Sequence, residues 1–275
     1  MITVCLDPFN PGQVFACCGL FELSELLLEG SKGWFSREGK NWKFSIETSL
    51  SLADVIAFLK NSKIRPIDEQ DSRIASLRNE QRKEVLNRRK CPIILQTPKL
   101  EVTLDWWWNA TLTDDSRWAT GAFKGWGGQV SHVDLLKEFM NKIPNPNSLS
   151  VPERIFEETS PCKTSFGFDS RGCWTTRGLG YSPDEVYGGG GKIHISPVVE
   201  VLAFIALQTF KPRKERDVVQ YYLWRWPLPI VPARFAFSGA IKADLASFQA
   251  EVATRGAKEA YKCFKEARII EEWRE

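Results

Sequence analysis

The sequence predicts an α/β protein of the α+β kind, a mixed sheet with helices packed against it, on three observations. A short apolar run, Met1–Leu6, passes directly into a capped helix. Apolar and polar residues alternate around Trp42, Phe44 and Ile46, and again from Leu100 to Trp108, with the period of a half-buried strand. Residues 196–210 then form a helix-starting run so apolar that it has to be central to a core.

Taken in order, the first element is the strand Met1–Leu6. Asn10, Pro11 and Gln13 fall at the cap, first and third positions of the helix that follows, where a side-chain oxygen and a ring without an N–H suit unpaired amides. Gly30 sits where that helix should stop. Phe15, Cys18, Phe21, Leu23, Leu26 and Leu27 make one side that must be covered. Asn10 and Gly12 fit either an anion site at the helix mouth or a plain capped core helix. Ser51 with Asp54 opens a second helix through Asn61. Residues 69–90 read as a polar helix with a thin stripe of Ile74, Leu77, Val85 and Leu86. Its cations Arg82, Lys83, Arg88, Arg89 and Lys90 either meet phosphates or simply offset the negative helix pole.

The run LEVTLDWWWN reads as one strand, with Trp107 facing away from Trp106 and Trp108. GAFKGWGGQVS then sets Lys124, Trp126 and Gln129 among four glycines, which suits a phosphate contact with ring stacking, or a turn packing its Trp inward. Ser131 and Asp134 start a helix to Lys142. IPNPNSLSVPE reads as a connection between halves 1–143 and 152–275, the alternative being one continuous domain. A strand Thr164–Phe168 leads into a glycine-rich loop over 170–192 that interleaves Arg171, Trp174, Arg177, Tyr181 and Lys192. Asp169 and Arg171, on either side of Ser170, suggest a turn in which the carboxylate holds the guanidinium. Gly191-Lys192 is followed by Ile193 rather than a hydroxyl residue, which excludes a phosphate-loop nucleotide triphosphatase. After the apolar helix, VVQYYLWRWPLP reads as a strand and Phe235–Glu275 as a helical tail broken near Gly256.

Composition narrows the function. The 275 residues are 43% hydrophobic and 26% charged, the balance of an ordinary globule, and the net charge of +3 means that any basic surface must come from uneven distribution. Eleven Trp on such a chain keep nucleic acid in view, since indole faces stack on bases. No long apolar span or secretion signal is present, so a cytoplasmic protein with no membrane partner is expected. The seven Cys are never spaced as CxxC and only His132 and His194 could join them; reduced, mostly buried thiols are expected, with no metal and no cofactor. Both His are read as structural, and with so few neutral-pH bases the composition favours binding over turnover.

Six stretches in order, LDPFNPGQVFACCGLFELSELL, the pair LDWWWN and KGWGGQ, FGFDSRG with GYSPDE, and SPVVEVLAFIALQTFKP, resemble proteins of type I-G (formerly I-U) CRISPR loci, over residues 6 to about 212. The resemblance implies a subunit of an RNA-guided interference complex, with a large-subunit-like role as one form, ferredoxin-like modules in the fold, and guide RNA and/or target DNA and sister subunits as partners. In that role Arg171, Arg177 and Lys192 would touch phosphates, Arg82, Lys83, Arg88, Arg89 and Lys90 would add a second patch, and Lys124, Trp126, Gln129 and Trp174 would contact backbone and base. Two alternatives stand beside it. One is a metal-independent RNase using Tyr181, Lys192 and His194; the other is an assembly subunit that touches no nucleic acid.

Overall fold

A computed structural model describes residues 1–68, 70–75, 79, 82, 86, 91–96, 101–107, 131–162, 164–173, 193–215, 217–242, 244–255 and 261–272. Both helices and antiparallel sheets are present, so the fold is mixed α/β. Strand β1 (Ile2–Leu6) runs into α1 (Pro11–Leu27), followed by the hairpin β2 (Lys32–Glu38) and β3 (Asn41–Glu47) and by α2 (Leu52–Asn61). The caps follow the chemistry of the sequence. The Asn10 side chain accepts from Gly12 N–H, and Ser51 and Asp54 form a reciprocal capping box. Gly30, at φ 91°, takes the left-handed conformation past the end of α1.

Strand β3 pairs antiparallel with both β1 and β2, the split β-α-β arrangement with which a ferredoxin-like module begins. The module is not completed. The strand after α2, β4 (Lys63–Pro66), does not return to the free edge of β1. After α3 (Ser72–Ala75), it is met by β5 (Ile93–Gln96), which also pairs β6 (Glu101–Leu104), in a separate three-stranded sheet. A 3-10 segment, Pro152–Glu157, lies against β1 instead.

The remaining elements are α4 (His132–Lys142), β7 (Ser160–Cys162), β8 (Ile193–Ile195), α5 (Pro197–Ala206), β9 (Arg213–Glu215), β10 (Val218–Trp224), β11 (Leu228–Pro229), α6 (Ile230–Phe237), β12 (Asp244–Arg255), β13 (Tyr261–Phe264) and β14 (Arg268–Glu272). Strand β11 completes the first sheet on the β2 edge, and β9, β10, β12, β13 and β14 form a second antiparallel sheet.

Three expectations are corrected here. The helical tail is a sheet beyond Phe237: Phe248, Ala250 and Val252 are buried, and they alternate with half-buried Gln249 and exposed Glu251 at period two. An alanine-rich composition hides that alternation. The tryptophan strand ends at Leu104, because the N–H groups of Asp105 and Trp106 are both taken by the Gln208 side-chain oxygen and leave no ladder to extend. Residues 164–168 are irregular rather than a strand; the N–H groups of Phe166 and Phe168 go to Glu200. Residues from both halves, 1–143 and 152–275, enter one core. Helices α1 and α5 are buried almost throughout and each is covered by the other, while Phe15 packs on Tyr221, Phe237 and Phe264. Contact between the helices is close because a Cβ on Gly19 would sit on the Leu202 carbonyl.

Candidate nucleic-acid interface

The two helices α1 and α5 begin side by side, so their positive poles meet at one end of the core. Between them lies Asp169, fully buried. Its carboxylate accepts from the Asn10 amide at 2.8 Å and from Ser196 N–H at 2.8 Å, and Arg171 closes on it through Nε at 2.9 Å and Nη2 at 2.8 Å. Arg171 Nη2 also donates to the Phe156 carbonyl at 2.8 Å. Glu200, in the first turn of α5 and fully buried, accepts from the N–H groups of Phe166, Phe168 and Asp169 at 2.6, 3.1 and 2.8 Å. Burial pushes its carboxyl up to about 8; the Asp169 charge pushes the same way, against the three N–H donors.

This arrangement decides the reading of the first helix mouth. Gly12 packs against the Phe168 carbonyl, and Asn10 turns its oxygen to Gly12 and Ser170 N–H and its amide to Asp169. The place an anion would take is filled by the protein's own carboxylate, so the plain capped helix is what the chain builds. The ion pair expected in the FDSR turn is present. As a phosphate contact, Arg171 has to give up part of this bonding, because its Nε and Nη2 are engaged inside the protein.

A cluster of rings surrounds this polar knot. Trp106 donates from its indole N–H to the Phe204 carbonyl at 2.9 Å and packs on Phe168, while Trp107 packs on Phe204 and on His132 at ring separations of 5.0 Å. His132, fully buried, bonds through Nε2 to the Cys91 carbonyl at 2.7 Å, a structural role as the sequence suggested. Phe166 touches both Phe204 and Phe168. Gly172 fits against Ile195, and Cys173 is disulfide-bonded to Cys263 with the Cα atoms 5.3 Å apart. That bond corrects the expectation of reduced thiols for this pair; residues ninety apart in sequence become neighbours only when β13 packs beside the 170–172 turn. Cys17, Cys18, Cys91 and Cys162 are buried thiols.

Trp107 and His132 flank residues 108–130, and Cys173 and Ile193 flank residues 174–192. Trp107, Phe204, Phe166 and Phe168 form one run of ring contacts, and Ile193 belongs to the same buried core. Of the residues selected from sequence, Lys83, Arg88, Arg89, Lys90, Lys124, Trp126, Gln129, Trp174, Tyr181, Arg177 and Lys192 lie outside the described residues. Arg82 bonds to the Ala75 carbonyl at 2.8 Å, which turns it back on its own segment. His194 is exposed on β8, between two buried isoleucines. Among the indoles, Trp42, Trp107 and Trp224 are buried, and the Trp224 indole donates to the Gly33 carbonyl at 2.6 Å.

The sequence reading missed the outer face of the second sheet. In register across β9, β10, β12 and β14 stand Arg213, Gln220, Gln249 and Arg268. The signal was available in the polar member of each alternating pair. Among the described residues, no group of three or more His, Cys, Asp and Glu side chains is placed to hold a metal ion, and no helix is long and apolar enough to cross a membrane. Comparison of the chain with protein-family models, with curated proteins and with solved structures finds no match.

Proposed function

We propose that this chain is a non-catalytic nucleic-acid-binding subunit of a type I CRISPR interference complex, of the type I-G kind, working in the cytoplasm beside sister subunits and holding guide RNA and/or target DNA. The ordered motifs quoted above support the complex; the observation that supports nucleic-acid binding is the composition of two segments. Residues 108–130 carry Lys124, Trp126 and Gln129, and residues 174–192 carry Trp174, Arg177 and Lys192. Cations among indoles supply phosphate attraction and base stacking together. In this role the protein grips backbone and shape, and base pairing between guide and target reads the sequence.

The test is binding of the purified chain to labelled single-stranded RNA and DNA over a salt series. If about six phosphates are neutralised, affinity falls by roughly a thousandfold between 50 and 200 mM salt. Flat affinity across the series, or none at low salt, removes the proposal. Incubation with repeat RNA in EDTA adds a second arm: one defined cut replaces this reading with the RNase reading through Tyr181, Lys192 and His194.

A further inference from the structure

We propose that the outer face of the second sheet binds a single nucleic-acid strand along the row Arg213, Gln220, Gln249 and Arg268, an inference that rests on the nucleic-acid reading above and adds a site to it. The row is built by register. Gln220 on β10 stands opposite Arg213 on β9 and Gln249 on β12, and Gln249 stands opposite Arg268 on β14. The opposite face of the same strands is sealed, with Val219, Tyr221, Phe248 and Ala250 buried in the core. A groove of about 430 Å³ opens over Arg213, Glu215, Val218, Gln220 and Gln249. Two residues along β10, the Tyr222 ring lies against Gly239, where a Cβ would collide with it.

Three features select the ligand. Both glutamines are half-buried, yet neither carboxamide has a hydrogen-bond partner among the described residues. Each amide offers a planar donor–acceptor edge, the shape that pairs bidentately with a base edge. Second, the arginines stand at the two ends, about 14 Å apart at three strand spacings, so a ligand needs anions at both ends and hydrogen-bonding edges between. Third, Glu215 and Glu251 flank Val218 on the neighbouring row, ion-paired to Arg213 at 2.7 Å and Lys265 at 2.8 Å. They repel phosphate there and confine a polyanion to the arginine row; Glu271, beyond Tyr222 and Ser247, does the same on the other side. Exposed pairs such as Arg213–Glu215 are weak and exchange readily for phosphate. A duplex hides its pairing edges from the amides. An extended peptide would pair with the backbone of a strand edge rather than lie on a face.

The experiment uses the full chain and labelled oligoadenylate as RNA, as DNA, and as the duplex of each, read by anisotropy. Gln220→Ala with Gln249→Ala is expected to weaken single-strand binding roughly tenfold while leaving the salt slope and the thermal unfolding temperature unchanged. Arg213→Gln with Arg268→Gln should lower the salt slope by about one per arginine, and Glu215→Gln should tighten binding. If the wild type binds and both double variants bind equally well, this site is wrong and the general reading survives; if the wild type binds no strand, both fall. Duplex binding as tight as single-strand binding also overturns the site. So does a photo-crosslinker at position 218 that labels a sister subunit and never the oligonucleotide. Stronger retention of the RNA or of the DNA strand tells guide from target.

Discussion

Two regions of this molecule use the same kinds of side chain to opposite ends. Where α1 and α5 begin, Asn10, Asp169, Arg171, Ser196 and Glu200 interlock in the interior, and the carboxylates are met by amides and a guanidinium. On the outer sheet face, Arg213, Gln220, Gln249 and Arg268 stand in a row whose central amides form no hydrogen bond with another group among the described residues. Burial explains the difference. An unmatched polar group inside costs about 1–3 kcal/mol, whereas at the surface water takes the open position. The knot is therefore a device for holding two like helix poles together, and the row is free to exchange water for a ligand.

The sharpest way to break the comparison is Arg171→Ala, which leaves the buried Asp169 carboxylate without its cation. Partial exposure of Arg171 tempers the loss, and destabilisation of about 3 kcal/mol is expected in chemical unfolding. A loss below half of that would show that the knot carries no special weight. Next comes Cys173→Ser, or reduction of the wild type. Opening a link between residues ninety apart should cost about 2–4 kcal/mol, seen as a lower melting temperature with dithiothreitol and no such drop in the variant. Gly19→Ala pushes α1 away from Leu202 and should cost about 1–3 kcal/mol.

A pH series sharpens the same contrast. Glu200 titrates near 8 in the folded chain against an ordinary value of 4.5, so between these values the folded chain holds a proton that the unfolded chain has released. Its stabilising contribution is complete below about 4.5 and is lost as pH rises through 8. The melting temperature should fall over that window, and Glu200→Gln should flatten the slope. A slope identical in the variant would assign the pH dependence elsewhere. The smallest effect belongs to the open row: Gln220→Ala with Gln249→Ala should change stability by less than about 0.5 kcal/mol, as surface substitutions do.

Local chemistry was legible wherever its cause lay within a few residues. Asn10 as cap, the Ser51–Asp54 box, Ser131 before the helix to Lys142, and the hold of Asp169 on Arg171 are interactions spanning at most a few positions, and each is present as read. The errors fall where a distant partner decided. Residues 164–168 look like a strand until Glu200, over thirty positions later, takes their amides. The tryptophan strand is cut short by Gln208, a hundred positions away. In the tail, alanine and lysine suggested helix, and the period-two burial of Phe248 and Ala250 against β10 overrode that propensity.

By itself, the sequence determined a mixed α/β chain, its caps, its two apolar helices and the positions where cations mix with indoles, because these depend on side-chain type and short spacing. Tertiary structure alone decided that both halves share one core, that Cys173 meets Cys263, and that four polar residues from β9, β10, β12 and β14 fall into a single row. Pairing register and helix packing set those outcomes, and both are fixed by which surfaces can be buried together rather than by any one segment.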